Sequence, residues 1–255
     1  MSGTRKYWEL SFAVILIIIS VTLYYLHYLI FHDPHHIVLY LLGDLAFVPI
    51  EVLLVTLVID QLLENRDKKL KLDKLNMVIG TYFSTIGTSL LALFSDHDPE
   101  RDRIKNQLVV KGDWNDTNFS TVKKFFTQYR PTISMQSEDL VHLRVTLQKN
   151  EDFLIRLLEN PVLLEHESFT SLLQASFHLT EELIRRNDLH LCCGPDHAHI
   201  LGDIERVYTD LIIEWLKYMQ YLKNNYPYLF SYAMRTNPFD EMATIEIHES
   251  GDQSG

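Results

Sequence analysis

Residues 10–31 read LSFAVILIIISVTLYYLHYLIF, and residues 37–59 read IVLYLLGDLAFVPIEVLLVTLVI. The first stretch contains no Asp, Glu, Lys or Arg, and the second contains only Asp44 and Glu51. Each stretch is long enough to cross a bilayer as a helix, which takes about 20 residues. The five residues that separate them are too few for anything but a turn. The sequence therefore predicts that residues 1–60 form a transmembrane helical hairpin in contact with the lipid bilayer.

The basic residues that flank the two stretches predict the orientation of the hairpin. Arg5 and Lys6 precede the first stretch, and the turn contains neither lysine nor arginine. A larger basic group follows the second stretch and consists of Arg66, Lys68, Lys69, Lys71 and Lys74. Positive charge collects on the cytoplasmic side of membrane proteins. We therefore predict a multi-pass protein of the cell membrane with both termini in the cytoplasm.

The charge balance of the remaining chain bounds its partners. The chain has 23 basic and 34 acidic residues, of which 2 and 5 precede residue 61, so the rest carries 21 and 29 and a net charge of −8. Nucleic-acid binding needs a basic surface that contacts phosphates, so no nucleic-acid partner is expected. The two cysteines are adjacent in the sequence and predict no framework of disulfides.

Residues 61–95 predict a juxtamembrane amphipathic helix that continues the second span. An apolar stripe recurs there every seven residues, at Leu72, Ile79, Ile86 and Leu93. Such a narrow stripe is typical of coiled-coil-like packing against another helix. We therefore expect residues 70–94, together with the membrane spans, to support self-association into a homo-oligomer.

The segment from Met77 to Phe94 has an alternative interpretation as a third membrane span, because it has no charged residue over 18 positions. A stripe of hydroxyl groups argues against that alternative, at Thr81, Ser84, Thr85, Thr88 and Ser89. A lipid-facing helix would have to bury these groups, whereas an amphipathic cytoplasmic helix exposes them. We favour the cytoplasmic helix and keep the third span as the alternative.

Residues 96–235 predict a bundle of shorter helices, which makes the fold class all-α. Helices are expected at about 100–111, 118–130, 137–148, 151–160, 168–186, 198–224 and 228–235. Prolines separate several of them, because proline cannot continue a helix. Residues 236–255 predict a C-terminal tail that is partly disordered.

Asp44 and Glu51 are the first candidate functional residues. Their spacing of seven positions projects both from nearly one face of the second span. Acidic side chains inside a bilayer are costly, so they face protein or water and often serve transport. In a symmetric oligomer they would form two carboxylate rings of a cation pathway. The structural alternative is that Asp44 pairs with His27 and Glu51 forms a hydrogen bond with a Ser or Thr hydroxyl of the spans.

A second candidate is a group of five residues of the types that bind Zn²⁺. The group consists of His190, Cys192, Cys193, His197 and His199. It lacks the C-x2-C spacing of zinc sites, and adjacent cysteines rarely bind one tetrahedral ion together. The simpler interpretation is a turn at Gly194-Pro195 with Asp196 capping the next helix, and no cofactor.

A third candidate is the pair formed by Arg185 and His190. HEPN-type ribonucleases carry an Arg-x4-6-His pair on a small all-helical bundle, and Arg185 with His190 resembles that motif. The resemblance implies a ribonuclease with these two catalytic residues. It covers six residues, and in this chain the motif lies at the end of a helix instead of opening one. A basic C-terminal helix turn accounts for the same residues through the helix dipole.

We interpret the chain as a non-enzymatic integral membrane protein whose cytoplasmic helical bundle binds a protein partner or regulates the membrane part. An oligomeric cation channel or transporter component that uses Asp44 and Glu51 is the alternative. A membrane-tethered enzyme, metal-dependent or HEPN-like, is a second alternative.

Overall fold

The structure is a computed structural model that describes residues 3–163, 166–191 and 194–246, with only the backbone described for residues 3–6 and 9. Over these ranges every regular element is a helix, and no strand is present. The prediction of an all-α fold is confirmed. The chain divides into two units, Met1–Lys68 and Lys69–Gly255, which are treated separately below.

Ten α-helices follow one another in the described ranges. They are α1 (Gly3–Phe31), α2 (Pro34–Tyr82), α3 (Thr88–Asp96), α4 (Arg101–Leu108), α5 (Asp116–Gln128), α6 (Ser137–Lys149), α7 (Glu151–Leu158), α8 (Glu167–Arg185), α9 (Gly194–Asn225) and α10 (Pro227–Arg235). A π-helical turn, Phe83–Gly87, joins α2 to α3, and a 3-10 turn, Leu189–Leu191, lies between α8 and α9.

The first unit contains α1 and the first part of α2, joined by a tight turn. His32 adopts a left-handed conformation with φ of 50°, which reverses the chain. Asp33 then caps α2, because its Oδ1 accepts hydrogen bonds from the backbone N–H groups of His35 and His36 at 3.0 and 3.2 Å. Pro34 occupies the first helical position, where its missing N–H costs nothing.

Two helical stretches, Leu10–Phe31 and Pro34–Asp96, are long and apolar enough to cross a membrane by length and composition. No residue in the most apolar window of either stretch is buried. The part of the chain that the structure describes therefore does not cover these apolar side chains.

The second unit is built around α9, which packs against α3, α5, α8 and α10. One face of α9 is buried at three- and four-residue spacing, at Ile200, Ile204, Val207, Tyr208, Leu211, Ile212, Trp215, Leu216, Met219 and Leu222. This is the 3.6-residue period of a helix whose apolar stripe faces a core. The helix begins at Gly194, so Gly194, Pro195 and Asp196 form its first turn and not the preceding loop that the sequence predicted.

The predicted apolar stripe contributes to the core of the second unit, but only in part. Ile79 and Ile86 are 4% and 1% exposed, whereas Leu72 is 52% exposed and Leu93 is half-buried. After the π-helical turn the buried positions are Leu90, Leu91 and Phe94. Phe94 lies one residue beyond Leu93, the position that the seven-residue repeat predicts. Ile79 and Ile86 are therefore covered within their own unit and not free to contact a second copy.

The π-helical turn explains this change of register. The backbone N–H of Thr88 donates to the carbonyl oxygen of Phe83, five residues earlier. A π-turn holds one residue more than an α-turn, so every later side chain moves around the helix axis. Neighbouring residues at this turn pack on two different helices of the core. The ring of Tyr82 lies edge-on to that of Phe169 of α8 at 5.4 Å, and the ring of Phe83 stacks on that of Tyr218 of α9 at 5.6 Å.

The first part of the predicted C-terminal tail belongs to the core. Phe239 is buried and its ring lies 5.2 Å from that of Trp215. Asn237 donates from Nδ2 to the carbonyl oxygen of Leu108 at 2.9 Å, which satisfies the end of α4. One buried aromatic residue and one satisfied helix end thus order a segment that the sequence analysis assigned to the tail. Residues 247–255 lie outside the described part of the chain.

Candidate functional site

Asp44 and Glu51 lie exposed on α2, seven residues apart. Neither forms a hydrogen bond or an ion pair within the described ranges. His27 lies near the C-terminal end of α1, with its ring 4.8 Å from that of Phe31 and 5.9 Å from that of His36. Its Nε2 is buried without a hydrogen-bond partner. A pair of His27 with Asp44 is therefore not formed within the part of the single chain that the structure describes.

The predicted zinc-binding group is dispersed as far as its members are described. His190 lies in the 3-10 turn, where its backbone N–H donates to Oδ1 of Asp188 at 2.9 Å. His197 is half-buried, and its Nε2 lies 3.0 Å from the carbonyl oxygen of Met135. His199 projects from an exposed face of α9. Cys192 and Cys193 lie outside the described residues.

The structure instead brings His199 together with three residues that the sequence analysis did not select. His178 and Glu182 project from α8, and His199 and Asp203 project from α9. One possible ligand atom from each of His178, Glu182 and His199 lies within 4.8 Å of the others. We call these four residues the α8–α9 cluster.

Asp203 forms the floor of the α8–α9 cluster. Its Oδ2 lies 3.6 Å from Nε2 of His178 and 3.5 Å from Nε2 of His199. Its Oδ1 lies 3.3 Å from Nη1 of Arg206, one helical turn further along α9. The Asp203 side chain is 4% exposed, whereas those of His178 and His199 are 48% and 55% exposed. The cluster is therefore closed below and open to solvent above.

Glu182 is held at the edge of the cluster by Arg186. The guanidinium donates from Nη1 to Oε2 of Glu182 at 2.6 Å, and from Nη2 to Oδ1 of Asp196 at 2.6 Å. The hydrogen bond from Arg186 lowers the pKa of Glu182 below its ordinary value, and the nearby His178 and His199 act in the same direction. Glu182 is thus kept ionised, as a metal ligand must be.

A sequence signal for the α8–α9 cluster existed. Both α8 and α9 carry a His-x3-acid pair, His178 with Glu182 and His199 with Asp203. Residues four apart share a helix face, so each pair presents two ligands side by side. Neither pair is distinctive alone, because only tertiary packing of α8 on α9 brings them together. The sequence analysis selected His199 but grouped it with its neighbours in the chain.

Arg185 and His190 do not form a recognisable catalytic pair. The Arg185 guanidinium is exposed and forms an ion pair with Glu181 on the same helix. His190 is exposed in the 3-10 turn. Both residues have local roles at the end of α8, and no contact between them is found among the described residues.

A groove of about 790 Å³ lies beside the π-helical turn in the second unit. Its lining is rich in tyrosine and includes Tyr218, Tyr221, Tyr226, Tyr228 and Tyr232. The lining also contains Thr81, Ser84 and Thr88 of the predicted hydroxyl stripe. The hydroxyls of Thr81 and Ser84 donate to backbone carbonyls, so this part of the lining is less polar than its sequence suggests.

Comparison with known proteins divides the chain between residues 63 and 71, near the boundary of the two structural units at Lys68 and Lys69. Residues 4–63 match the family described as "MJ1433, N-terminal helical domain", and residues 71–235 match "Uncharacterized protein MJ1433, C-terminal helical domain". The protein described as "Uncharacterized protein MJ1433" from Methanocaldococcus jannaschii is 46% identical over 240 residues, which covers 94% of this chain and 96% of that relative. No solved structure matches the chain. The chain therefore belongs to the MJ1433 family, in which an N-terminal helical domain precedes a C-terminal helical domain.

Proposed function

We propose that this protein is an integral membrane protein in which the N-terminal hairpin anchors an acidic helical domain at the cytoplasmic face of the cell membrane. The domain serves as a non-enzymatic interaction or regulatory module. The observation that carries the proposal is the contrast between the two units. The apolar side chains of residues 10–31 and 37–59 are largely exposed, whereas the second unit buries a large apolar core of its own.

The dimensions of the hairpin support a membrane location. The 22 residues of Leu10–Phe31 would extend about 33 Å as an α-helix. This length fits the hydrocarbon core of a bilayer, which is about 30 Å thick. An apolar surface of this size is rare on soluble monomers and marks contact with lipid or protein. The basic residues after α2's apolar stretch favour a cytoplasmic location for the second unit.

The aromatic groove supports an interaction role for the second unit. Its tyrosine side chains combine a large apolar face with a hydroxyl group, and such residues are enriched where proteins bind other proteins. Tyr221 is already oriented by a hydrogen bond from its hydroxyl to Oδ1 of Asp73 at 2.7 Å. A cytoplasmic protein partner is the occupant that we assign to this surface within the proposed function.

The membrane proposal predicts the fate of the full-length protein on cell fractionation. We expect it in the membrane pellet, resistant to extraction with alkaline carbonate and released by detergent, because both spans would have to leave the lipid together. In a Cys192→Ser, Cys193→Ser background, His35→Cys should react with an impermeant maleimide on intact cells. Ser120→Cys should react only after the cells are opened. Carbonate-soluble protein, or labelling of residue 120 from outside, would contradict the proposal.

A cation pathway through a homo-oligomer is the second candidate function. It is supported by the finding that Asp44 and Glu51 have no partner within the described part of one chain. Acidic groups at membrane depth require protein or water around them, and a bundle of several copies around a water-filled pathway would provide these surroundings. Such an assembly would use the spans, because Ile79 and Ile86 are already buried within the second unit.

The pathway predicts a change of conductance without a change of assembly. Glu51→Gln keeps the shape of the side chain and removes the charge that attracts cations. In reconstituted bilayers we expect this variant to show reduced cation current, with Asp44→Asn acting in the same direction but more weakly. Native mass measurement in nanodiscs provides the control for assembly. A monomeric wild-type protein would exclude the pathway.

A further inference from the structure

We propose that the α8–α9 cluster, His178, Glu182, His199 and Asp203, is a binding site for one divalent transition-metal ion of the zinc class. The site lies in the second unit and is independent of the membrane proposal. It shares only His199 with the cysteine-containing group that the sequence suggested.

The distances within the cluster fit a shared ion better than direct hydrogen bonds. Nε2 of His199 lies 3.5 Å from Oδ2 of Asp203 and 3.9 Å from Oε2 of Glu182, and Nε2 of His178 lies 3.6 Å from the same Asp203 oxygen. Good side-chain hydrogen bonds are about 2.7–3.2 Å long. Two ligands that each lie about 2.1 Å from a tetrahedral Zn²⁺ are about 3.4 Å apart. The three measured distances, 3.5, 3.6 and 3.9 Å, are close to that separation between two ligands of one ion.

The buried oxygen of Asp203 provides an independent indication. Asp203 is 3% exposed, and its Oδ2 has no hydrogen-bond donor in the described structure. Leaving a buried charged oxygen without a partner is costly. This oxygen points at the two imidazoles, so a cation between the three groups would satisfy it. Arg206 engages the other oxygen and so fixes which one faces the cluster.

The ligand types indicate the class of metal. Two imidazoles and two carboxylates suit Zn²⁺, Fe²⁺ and related first-row ions better than Mg²⁺ or Ca²⁺, which prefer all-oxygen sites. The exposure of both histidines leaves a path by which the ion can enter from solvent. Arg186 donates to Oε2 of Glu182, the same oxygen that lies 3.9 Å from Nε2 of His199, and so acts as an outer contact that orients this ligand.

The scaffold favours a defined geometry. The pair of ligands on each helix comes from positions four apart, and both helices are long and pack on each other in the core. Sites built on packed helices hold ligands more accurately than sites on loops. A bound ion would join the C-terminal half of α8 to the N-terminal third of α9 across their exposed edge.

The test uses the tag-free, full-length protein in detergent, stripped of metal with a chelator and titrated with Zn²⁺ in competition with a chromophoric chelator. We expect about one equivalent of zinc per chain and a Tm that rises by several degrees on binding, because the ion binds only the folded state. His178→Ala with His199→Ala should weaken the affinity at least about 100-fold, since losing even outer contacts costs about 10–100-fold. The matched control, His35→Ala with His142→Ala, removes two exposed histidines elsewhere and should bind zinc like wild type.

Two further variants separate this site from alternatives. The Cys192→Ser, Cys193→Ser variant should still bind zinc. If that variant lost zinc binding while the His178→Ala, His199→Ala variant kept it, the proposal would be overturned. Asp203→Asn preserves shape but removes the ligand charge, so the metal-free Tm should stay near that of wild type while affinity falls at least about tenfold. Wild-type protein that binds no stoichiometric zinc, with the histidines serving only as ion-pair partners, would also overturn it. Co²⁺ substitution should give ligand-field bands that disappear in the double histidine variant.

Discussion

Replacement of Ile79 and Ile86 together by aspartate is expected to unfold the second unit. The two side chains are 4% and 1% exposed and lie in the core. A carboxylate buried there without a partner costs several kcal/mol, whether it stays charged or takes up a proton. The two substitutions together cost nearly as much as the typical free energy of unfolding of a domain, which is about 5–15 kcal/mol. Loss of cooperative thermal unfolding, followed by circular dichroism in detergent, would report the result.

The matched control for this variant uses the same helix. Leu72 and Met77 are 52% and 71% exposed, so Leu72→Asp with Met77→Asp introduces the same two charges without burying them. We expect that control to melt within a few degrees of wild type, because exposed substitutions usually change stability by less than about 0.5 kcal/mol each. If the buried pair of aspartates melted like the control, the core assignment of α2 would be wrong.

Substitution of Gly87 by alanine is expected to give the second large effect, a destabilisation of about 1–3 kcal/mol from overpacking. A Cβ at this position would lie 2.7 Å from Cδ1 of Phe83 and 2.9 Å from Cε1 of Tyr82. Both rings are buried, so neither can move aside freely. The backbone of Gly87 has φ of −59° and ψ of −42°, which alanine adopts easily, so the variant isolates the clash.

Gly202 provides the opposite case in the same unit. It lies exposed in α9, and a Cβ there would meet nothing within 4 Å. Gly202→Ala should therefore stabilise the protein by about 0.4–1 kcal/mol, since alanine has less freedom than glycine in the unfolded chain. Relative to wild type, the Tm of Gly87→Ala should fall and the Tm of Gly202→Ala should rise. A Gly87→Ala variant as stable as Gly202→Ala would show that the π-helical turn leaves more room than its contacts indicate.

Much of the helical fold could be predicted from the sequence, because helix signals are local. The predicted helix at about 137–148 corresponds to Ser137–Lys149, and the one at about 168–186 corresponds to Glu167–Arg185. In the latter case, a run of apolar side chains at helical spacing specified both the element and its buried face. The predicted start of α9, at about residue 198, was too late, because Pro195 lies within the first turn of this helix and does not precede it.

The sequence could not predict features that depend on contacts between distant segments. No local sequence pattern favours a π-helical turn. In this protein the turn is stabilised by distant contacts, because Tyr82 packs on an aromatic ring of α8 and Phe83 packs on one of α9. The α8–α9 cluster has the same origin. His178 and His199 belong to different helices, and their common partner Asp203 connects them only in the folded chain.

Because of the π-helical turn, the packing of the second unit depends on the exact number of residues in the segment Phe83–Gly87. Removal of one residue there, for example the exposed Thr85, would let the helix continue as regular α while turning Leu90, Leu91 and Phe94 about 100° away from their present neighbours. An alignment of family members should therefore run through this segment without gaps. A relative that is one residue shorter here would need compensating changes along α9, so a single gap would identify a branch of the family with a differently assembled core.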